Sequence, residues 1–254
     1  YFRNIQKPKA LMWIGGSTSS YEAGEVWHLL DTRMNMPVTK ARLDQFNRVD
    51  LNNYNTMVMI SGRYAELDSS KMEKISDWVK AGNTLITIRE ASKWAIEKKL
   101  AKEELIRKPK DEKETKAKEK VKRLPYVTAP ENLGKSRVGG ALFQGDLDLT
   151  HPLGFGYSRN LIPLYRNSEV WLKPSESPYG TVVKYTEEPH IDGFITPKNL
   201  NTFLKPSASL IVSALGSGRI VMFADNPNFR GSWYGTNRLF LNALFLGNHI
   251  SVPK

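Results

Sequence analysis

The chain alternates between short apolar runs and segments in which apolar residues recur every three or four positions. The first pattern is typical of buried strands and the second of helices. We predict strands at residues 10–14, 37–43, 55–60 and 84–88, and helices at residues 21–30, between Asp68 and Gly82, and at residues 91–100. Strands that alternate with helices indicate right-handed crossovers and a mostly parallel sheet with helices on both faces. The first 106 residues are therefore predicted to form half of a flavodoxin-like α/β fold.

The second half of the chain is richer in strand-like segments joined by proline and glycine. Such segments lie at residues 138–149, 170–185 and 193–195. Two further apolar runs, 209–215 and 219–224, flank Gly216-Ser217-Gly218, and this arrangement is a strong hairpin signal. Helical spacing returns at residues 236–246, and we expect that helix to pack back on the sheet. We therefore predict a single domain over residues 1–254, with a β-rich second half that completes the fold.

Nearly half of the net charge of +11 lies in one segment. Residues 97–123 hold 12 basic and 7 acidic side chains and so contribute +5 of the total. The mixed signs and the apolar Leu100, Leu105 and Ile106 predict a solvated helix that continues into a mobile polar segment after Pro109. A nucleic-acid interface needs aromatic residues or a patch of one sign, and this segment supplies neither. We therefore predict an exposed charged insertion and no nucleic-acid partner.

Cysteine is absent from the chain. Disulfides, thiolate metal sites and a cysteine nucleophile are therefore excluded. No run of about 18 apolar residues occurs, so no membrane-spanning helix is predicted. The chain opens at Tyr1 without a signal-like region, which predicts a processed or excised piece of a longer protein.

The histidines do not predict a metal site. A zinc hydrolase usually carries a motif such as H-x-x-E, and none of the four histidines has glutamate at the third following position. His28 comes nearest, with Asp31 three residues later, but a third ligand is not identifiable. His151 is expected to fix a loop through hydrogen bonds.

The carboxyl ends of parallel strands are the places where an α/β sheet binds ligands. The turns at those ends are residues 15–20, 61–64, 89–92 and 225–231. Residues 15–20 lack the lysine and the glycine spacing of a phosphate loop, which favours an ordinary strand-to-helix turn over an anion site. Residues 89–92 form the sharp turn, or elbow, at which some α/β enzymes hold a nucleophile. Here the elbow residue is Arg89 or Glu90, neither of which is an acyl-transfer nucleophile, and Ser92 is expected to begin the next helix.

The segment 224–235 concentrates polar, aromatic and glycine residues after an apolar strand. In one interpretation it is a ligand-binding loop in which Asp225 and Arg230 contact a polar group while Trp233 and Tyr234 stack on it. In the other it is a rigid corner whose Asp–Arg pair and aromatic residues dock the loop on its own domain. The candidate ligand-binding residues are Arg89, Glu90, Asp225, Asn226, Arg230, Trp233 and Tyr234, of which Glu90 and Asp225 are also the candidate catalytic residues.

Three stretches of the chain resemble a known family. They are residues 216–247 (GSGRIVMFADNPNFRGSWYGTNRLFLNALFLG), 148–157 (DLTHPLGFGY) and 78–95 (WVKAGNTLITIREASKWA). They are similar to the C-terminal region of large bacterial secreted zinc carboxypeptidase-like proteins of the funnel-type metallocarboxypeptidase family. That region resembles class I glutamine amidotransferase-like domains, whose fold is flavodoxin-like. The resemblance covers nearly the whole chain, and residues 216–247 are its most specific part.

The resemblance implies a domain without the catalytic residues of either relative. The family's zinc-binding H-x-x-E and distant histidine belong to an N-terminal catalytic domain, so no zinc and no other cofactor is expected in this fragment. Active amidotransferase domains hold cysteine at the elbow and histidine at a later strand end, where this chain offers Arg89 or Glu90 and Asp225. The resemblance also implies that the partner is the N-terminal peptidase domain of the same chain, and that the protein is secreted to the periplasm or the cell exterior.

Three functions follow as hypotheses. The first is a non-catalytic, amidotransferase-like accessory domain that packs against another domain or binds a ligand. The second is a hydrolase-type enzyme in which Glu90 is the general acid or base and Asp225 and Arg230 place the substrate. The third is nucleic-acid binding through residues 97–123. We favour the first, because neither elbow residue is a nucleophile.

Overall fold

The computed structural model describes residues 4–107, 123–135 and 137–251 of the chain. The strands in these residues are β1 (Ala10–Ile14), β2 (Val38–Arg42), β3 (Thr56–Met59), β4 (Thr84–Ile88), β5 (Ala141–Leu147), β6 (Leu161–Arg166), β7 (Thr181–Gly193), β8 (Ala208–Leu215) and β9 (Gly218–Phe223). They form one sheet in the order β2-β1-β3-β4-β9-β8-β7-β5-β6.

Five α-helices accompany this sheet in the described part of the chain. They are α1 (Ser20–His28), α2 (Ser69–Lys80), α3 (Glu90–Glu97), α4 (Ala129–Lys135) and α5 (Tyr234–Leu246). π-Helical turns cover Leu29–Arg33 and Asn199–Leu204, and 3₁₀ turns cover Leu43–Arg48, Leu51–Asn53, Tyr126–Thr128, Pro152–Gly154, Phe229–Gly231 and Gly247–His249. Over the described ranges, none of the helices has both the length and the apolar character needed to cross a membrane.

Two kinds of strand pairing divide the sheet. Strands β2, β1, β3, β4 and β9 are parallel to one another. From β9 outward, β8, β7, β5 and β6 pair antiparallel. The flavodoxin-like α/β class predicted from the sequence is confirmed, and the β-rich second half supplies the antiparallel strands.

Helices cover both faces of the parallel half. Because neighbouring residues of a strand point to opposite faces, Met12 of β1 packs in the same core as Val26 of α1 and Phe240 of α5. Trp13 lies in the opposite core with Trp78 of α2, together with residues of α3. This two-faced burial explains why the central strands are continuous apolar runs.

Local signals set the ends of several elements as predicted. The Asp68 side chain caps α2 by accepting a hydrogen bond from the Lys71 amide at 2.9 Å. Gly82 follows that helix with φ of 115°, a conformation that glycine adopts without steric cost. The predicted hairpin is also confirmed, since Gly216 and Ser217 join the antiparallel strands β8 and β9.

The helix predicted at residues 91–100 is shorter than expected, because α3 ends at Glu97. The chain beyond it runs alongside the antiparallel half, where the Ile106 amide donates to the Trp171 carbonyl at 2.8 Å. The apolar residues that suggested a continuing helix are thus used in tertiary contacts. The rest of the predicted charged insertion, residues 108–122, lies outside the described residues.

Candidate functional site at the strand ends

The parallel strands β1, β3, β4 and β9 end at the same edge of the sheet, where residues that follow β1, β3 and β4 line two open clefts. One cleft, of about 570 Å³, is lined by residues that include Arg89, Lys93 and Arg137. The other, of about 370 Å³, is lined mainly by the turns after β1 and β3. Glu90 lines both clefts, so this predicted site residue does lie at the accessible edge of the sheet.

Arg89 is the elbow residue. Its backbone has φ of 52° and ψ of −114°, a combination that is strained for any residue with a side chain. Its amide donates to the Phe223 carbonyl of β9 at 2.8 Å, and Glu90 begins α3 immediately afterwards. The sequence left the choice between Arg89 and Glu90 open, and the backbone conformation assigns the position to Arg89.

Two hydrogen bonds fix the Arg89 side chain. Its Nη1 donates to Glu22 Oε1 at 2.9 Å, and its Nη2 donates to the Asn167 carbonyl at 3.1 Å. The side chain is 23% exposed, whereas that of Glu22 is 3% exposed. An ion pair therefore occupies the place from which a nucleophile would reach a substrate.

Glu22 connects this pair to the neighbouring strand end. Its Oε2 accepts a hydrogen bond from the Ser61 amide at 2.7 Å, and its Oε1 accepts one from Ser61 Oγ at 2.8 Å. One buried carboxylate on α1 thus joins the turn after β3 to the elbow after β4. Sequence reasoning missed Glu22, although it stands one helical turn before the buried Val26 and so lies on the inward face of α1.

Ser92 has the structural role that the sequence predicted. It is fully buried in the first turns of α3, and its Oγ lies 2.9 Å from the Phe223 carbonyl and 3.1 Å from the Thr87 carbonyl. Its hydroxyl is committed to holding α3 against β4 and β9.

Asp225 is committed to a buried ionic cluster. Its Oδ1 accepts a hydrogen bond from Arg166 Nη1 at 2.8 Å, and its Oδ2 accepts from Tyr185 Oη and Ser209 Oγ, each at 2.5 Å. Burial raises the pKa of Tyr185 well above its ordinary value, so its hydroxyl remains a donor at neutral pH. Burial alone would lower the pKa of Arg166, but its contacts with Tyr185 and Asp225 raise it.

This cluster corrects the expected Asp225–Arg230 pair. The cation that binds Asp225 is Arg166, a fully buried residue at the end of β6 whose guanidinium carbon lies 4.2 Å from the centre of the Trp171 ring. Sequence reasoning missed Arg166, because it predicted no strand at residues 161–166 and no local signal marks a buried arginine. Only the pairing of β5 with both β6 and β7 brings it to Asp225.

The loop after Asp225 is held by a second carboxylate of α1. Glu25 accepts a hydrogen bond from Asn226 Nδ2 at 2.5 Å and one from the Arg230 amide at 2.6 Å. Burial raises the pKa of Glu25, although these two hydrogen bonds oppose the shift. Asn226 and the Arg230 backbone therefore dock the loop on its own domain, while the Arg230 side chain is exposed.

The two aromatic candidates of this loop differ in exposure. Trp233 is half-buried, and its ring centroid lies 6.3 Å from that of Tyr165. Tyr234 is 60% exposed, and the guanidinium carbon of Arg33 lies 4.1 Å from the centre of its ring. The structure thus places Tyr234 on the surface with an arginine over one face.

Within the described ranges, no group of three or more histidine, aspartate or glutamate side chains is arranged to hold a metal ion. His151 fixes its loop as predicted, because its Nδ1 accepts a hydrogen bond from the Leu153 amide at 3.1 Å. Burial lowers the pKa of His151, so the neutral ring that accepts this bond is favoured.

No protein-family model matches the chain, and no curated protein matches it in sequence. Solved structures do match. A ThuA-like protein from Parabacteroides merdae aligns over 98% of this chain and 92% of its own, with a TM-score of 0.61 and 12% identity. The PurLQS structure from Thermotoga maritima aligns over 94% of this chain and 98% of the matched one, with a TM-score of 0.53 and 12% identity. The fold is class I glutamine amidotransferase-like.

A second ThuA-like protein, from Bacteroides uniformis, covers 97% of this chain and 94% of its own, with a TM-score of 0.52 and 9% identity. At such identities the similarity shows the fold alone. Function must therefore be argued from the side chains at the strand ends.

Proposed function

We propose that the chain is a non-catalytic, amidotransferase-like accessory domain. The observation that carries this proposal is the elbow, where Arg89 replaces a nucleophile and its guanidinium is bound to the buried carboxylate of Glu22. Catalysis at such an elbow requires a group that attacks the substrate and a base that activates it. A guanidinium stays protonated in proteins and has no acceptor atom, so it performs neither task at neutral pH.

The surroundings of Asp225 also support a non-catalytic role. Its carboxylate oxygens are taken by Arg166, Tyr185 and Ser209, and the cavity beside it measures only about 10 Å³. Such a volume is close to that of a single water molecule. Glu90 lines the two open clefts instead of this cavity, so none of these three spaces is lined by both candidate catalytic carboxylates.

Screening of hydrolysis tests this proposal against the enzyme hypothesis. Wild-type protein and the Glu90→Gln variant would be incubated with ester and peptide substrates, and product formation compared with buffer. We expect both proteins to match the buffer rate, and we expect Glu90→Gln to unfold at the same denaturant concentration as the wild type. Hydrolysis by the wild type that disappears in a folded Glu90→Gln variant would overturn the proposal.

The parent protein is proposed from the sequence resemblance. Residues 216–247, the most specific part of that resemblance, form β9, the following loop and α5. We propose that this domain accompanies an N-terminal zinc carboxypeptidase-like domain in a secreted protein, with the zinc held by the peptidase domain.

The natural full-length protein tests this second step. We expect its reading frame to encode an upstream H-x-x-E domain and an export signal. We also expect carboxypeptidase activity that a zinc chelator removes in the full-length protein and that the isolated 254-residue chain lacks. A reading frame without such a domain would refute the proposed parent protein. It would not affect the proposal that the elbow of this domain is non-catalytic.

A further inference from the structure

Arginine and aromatic side chains form a continuous exposed surface around the start of α5. We call it the arginine–aromatic surface and define it by Arg33, Phe155, Tyr157, Tyr234 and Arg238. Tyr234 and Phe155 are 60% and 71% exposed, and both arginines are exposed. None of these side chains belongs to the clefts at the strand ends.

Side-chain contacts join these residues into one surface. The Arg33 guanidinium lies over the Tyr234 ring at 4.1 Å. Tyr157 Oη donates to the Gly235 carbonyl at 2.8 Å, and the Arg238 guanidinium carbon lies 5.9 Å from the centre of the Tyr157 ring. Arg238 also donates to the Gly156 carbonyl, next to Phe155. Burial raises the pKa of Tyr157 to about 12, so its ring is uncharged at neutral pH.

Acidic residues are few in the sequence around this surface. Residues 149–160 and 226–254 hold no aspartate or glutamate, while they include the exposed Arg159 and Arg230. The nearest acids along the chain are Asp31, Asp148 and Asp225. Asp31 is exposed two residues before Arg33, whereas the Asp148 carboxylate is bound by the amide and hydroxyl of Thr150 and that of Asp225 by Arg166. Four exposed arginines outnumber the exposed Asp31 and Asp148, so the surface carries a local positive charge.

We propose that the arginine–aromatic surface binds an acidic surface of a protein partner. A guanidinium packed on an aromatic ring is held in place, and its remaining N–H groups can bind a carboxylate in a bidentate manner. Tyrosine, phenylalanine and arginine are enriched in protein interfaces whereas lysine is depleted, and residues 149–160 and 226–238 contain arginine but no lysine. A nucleic acid, which would stack bases on the exposed Phe155 and Tyr234 rings, is the alternative that the test below includes.

This inference deepens the proposed function, because it names the chemistry of the surface against which an accessory domain would pack. It does not depend on the zinc peptidase parent. The test of this inference measures binding, whereas the test of the proposed function measures hydrolysis. Partner binding can therefore be refuted while the elbow proves non-catalytic, and catalysis at the elbow can be found while partner binding is confirmed.

The probe is a fluorescently labelled peptide of repeated Glu-Glu-Phe units. A second peptide of repeated Glu-Glu-Ser units has the same charge but no aromatic ring. The test variant is Arg33→Glu/Arg238→Glu. The matched control is Lys7→Glu/Lys74→Glu, which makes the same charge change at exposed positions elsewhere. A third variant, Tyr234→Ala, removes the ring without changing the charge. Thermal unfolding verifies that each variant is folded.

We expect Arg33→Glu/Arg238→Glu to weaken binding of the Glu-Glu-Phe peptide about tenfold or more, and the lysine control to weaken it about twofold or less. Tyr234→Ala should weaken the Glu-Glu-Phe peptide more than the Glu-Glu-Ser peptide. Absence of binding, or equal loss in the arginine and lysine variants, would overturn the proposal. Tighter, Arg33- and Arg238-dependent binding of single-stranded DNA or of a heparin fragment would overturn it in favour of another polyanion.

Discussion

Arg89 combines a strained backbone with a side chain that neutralises a buried carboxylate. Its φ of 52° is disfavoured for arginine, and the strain persists because the side chain is fixed by Glu22 and by the Asn167 carbonyl. Replacing Arg89 therefore has two separable effects, one on the backbone and one on the ion pair.

A pair of substitutions at Arg89 separates these effects. Arg89→Ala leaves the Glu22 carboxylate buried without its cation. We expect this variant to lower the free energy of unfolding by about 2–3 kcal/mol. The loss is smaller than that expected on breaking a fully buried ion pair, because Arg89 is partly exposed. Arg89→Gly loses the same cation but relieves the backbone strain, so it should be about 1 kcal/mol more stable than Arg89→Ala. Urea unfolding of both variants measures the difference. Equal stability, or a more stable alanine variant, would show that the elbow is unstrained.

Asp225 is expected to matter for stability more than for ligand binding. Asp225→Asn removes the charge that compensates the fully buried Arg166, so we expect a loss of about 3 kcal/mol or more. Arg230→Ala changes an exposed side chain and should alter stability by about 0.5 kcal/mol or less. Chemical unfolding of the two variants provides the comparison. An Asp225→Asn protein as stable as the wild type would contradict the structural role.

The raised pKa of Glu25 predicts how the stability of the protein depends on pH. Its pKa is raised in the folded protein, chiefly by burial and despite the hydrogen bonds from Asn226 and Arg230. The folded state therefore binds this proton more tightly than the unfolded state, so the contribution of Glu25 to stability grows as the pH falls through its raised pKa toward the ordinary glutamate value.

The Glu25→Gln variant should lack this contribution. We expect the free energy of unfolding of the wild type, relative to Glu25→Gln, to increase between neutral pH and pH of about 4.5. Glu187→Gln, at an exposed position, serves as the control. A relative stability that decreases as the pH is lowered from neutral to about 4.5 would contradict this. It would mean that the hydrogen bonds outweigh burial and that the pKa of Glu25 is lowered in the folded protein.

Helices and strands could largely be predicted because their signals are local. The apolar runs located β1, β3 and β4, and the glycine pair located the turn between β8 and β9. The end of α3 could not be predicted, because Leu100 is buried and Ile106 half-buried by tertiary contacts that a helical spacing also fits. Antiparallel pairing of β5 with β6 and β7 likewise depends on residues distant in sequence.

Contacts between residues distant in sequence also limited the prediction of the candidate site. The position of the elbow after β4 and that of Glu90 at the strand ends could be predicted, because both follow from the order of elements. The partners of the key side chains could not be predicted. Glu22 is 67 positions from Arg89 and Arg166 is 59 positions from Asp225, so only the folded sheet reveals the two pairs.

The turn between β8 and β9 packs closely on the end of α2. A Cβ added to Gly218 would lie 1.9 Å from the Val79 carbonyl oxygen, whereas one added to Gly235 in α5 would meet nothing within 4 Å. We expect Gly218→Ala to destabilise the protein by about 3 kcal/mol or more, since backbone must move. Gly235→Ala should stabilise it by up to about 1 kcal/mol. Thermal unfolding tests both, and a harmless Gly218→Ala would contradict the close packing.

The whole molecule combines a widely used α/β fold with strand ends at which Arg89 is bound by the buried Glu22 and Asp225 by the buried Arg166. Similarity to ThuA-like proteins and to PurLQS extends over more than nine-tenths of the chain. The carboxylates of α1 bind the turns after β3, β4 and β9, so the edge that could hold a catalytic site is instead fixed internally. The fold thereby provides a stable scaffold, and the arginine–aromatic surface provides its proposed contact with a partner.

Hydrolysis of glutamine tests the central claim most directly, because it is the reaction of active domains with this fold. Ammonia release from glutamine would be measured for the wild-type protein and for Arg89→Gly, which frees Glu22 and opens the elbow. We expect both proteins to release ammonia at the rate seen in buffer. Ammonia release by the wild type above that rate, abolished by Glu90→Gln in a folded protein, would contradict the account of a non-catalytic elbow.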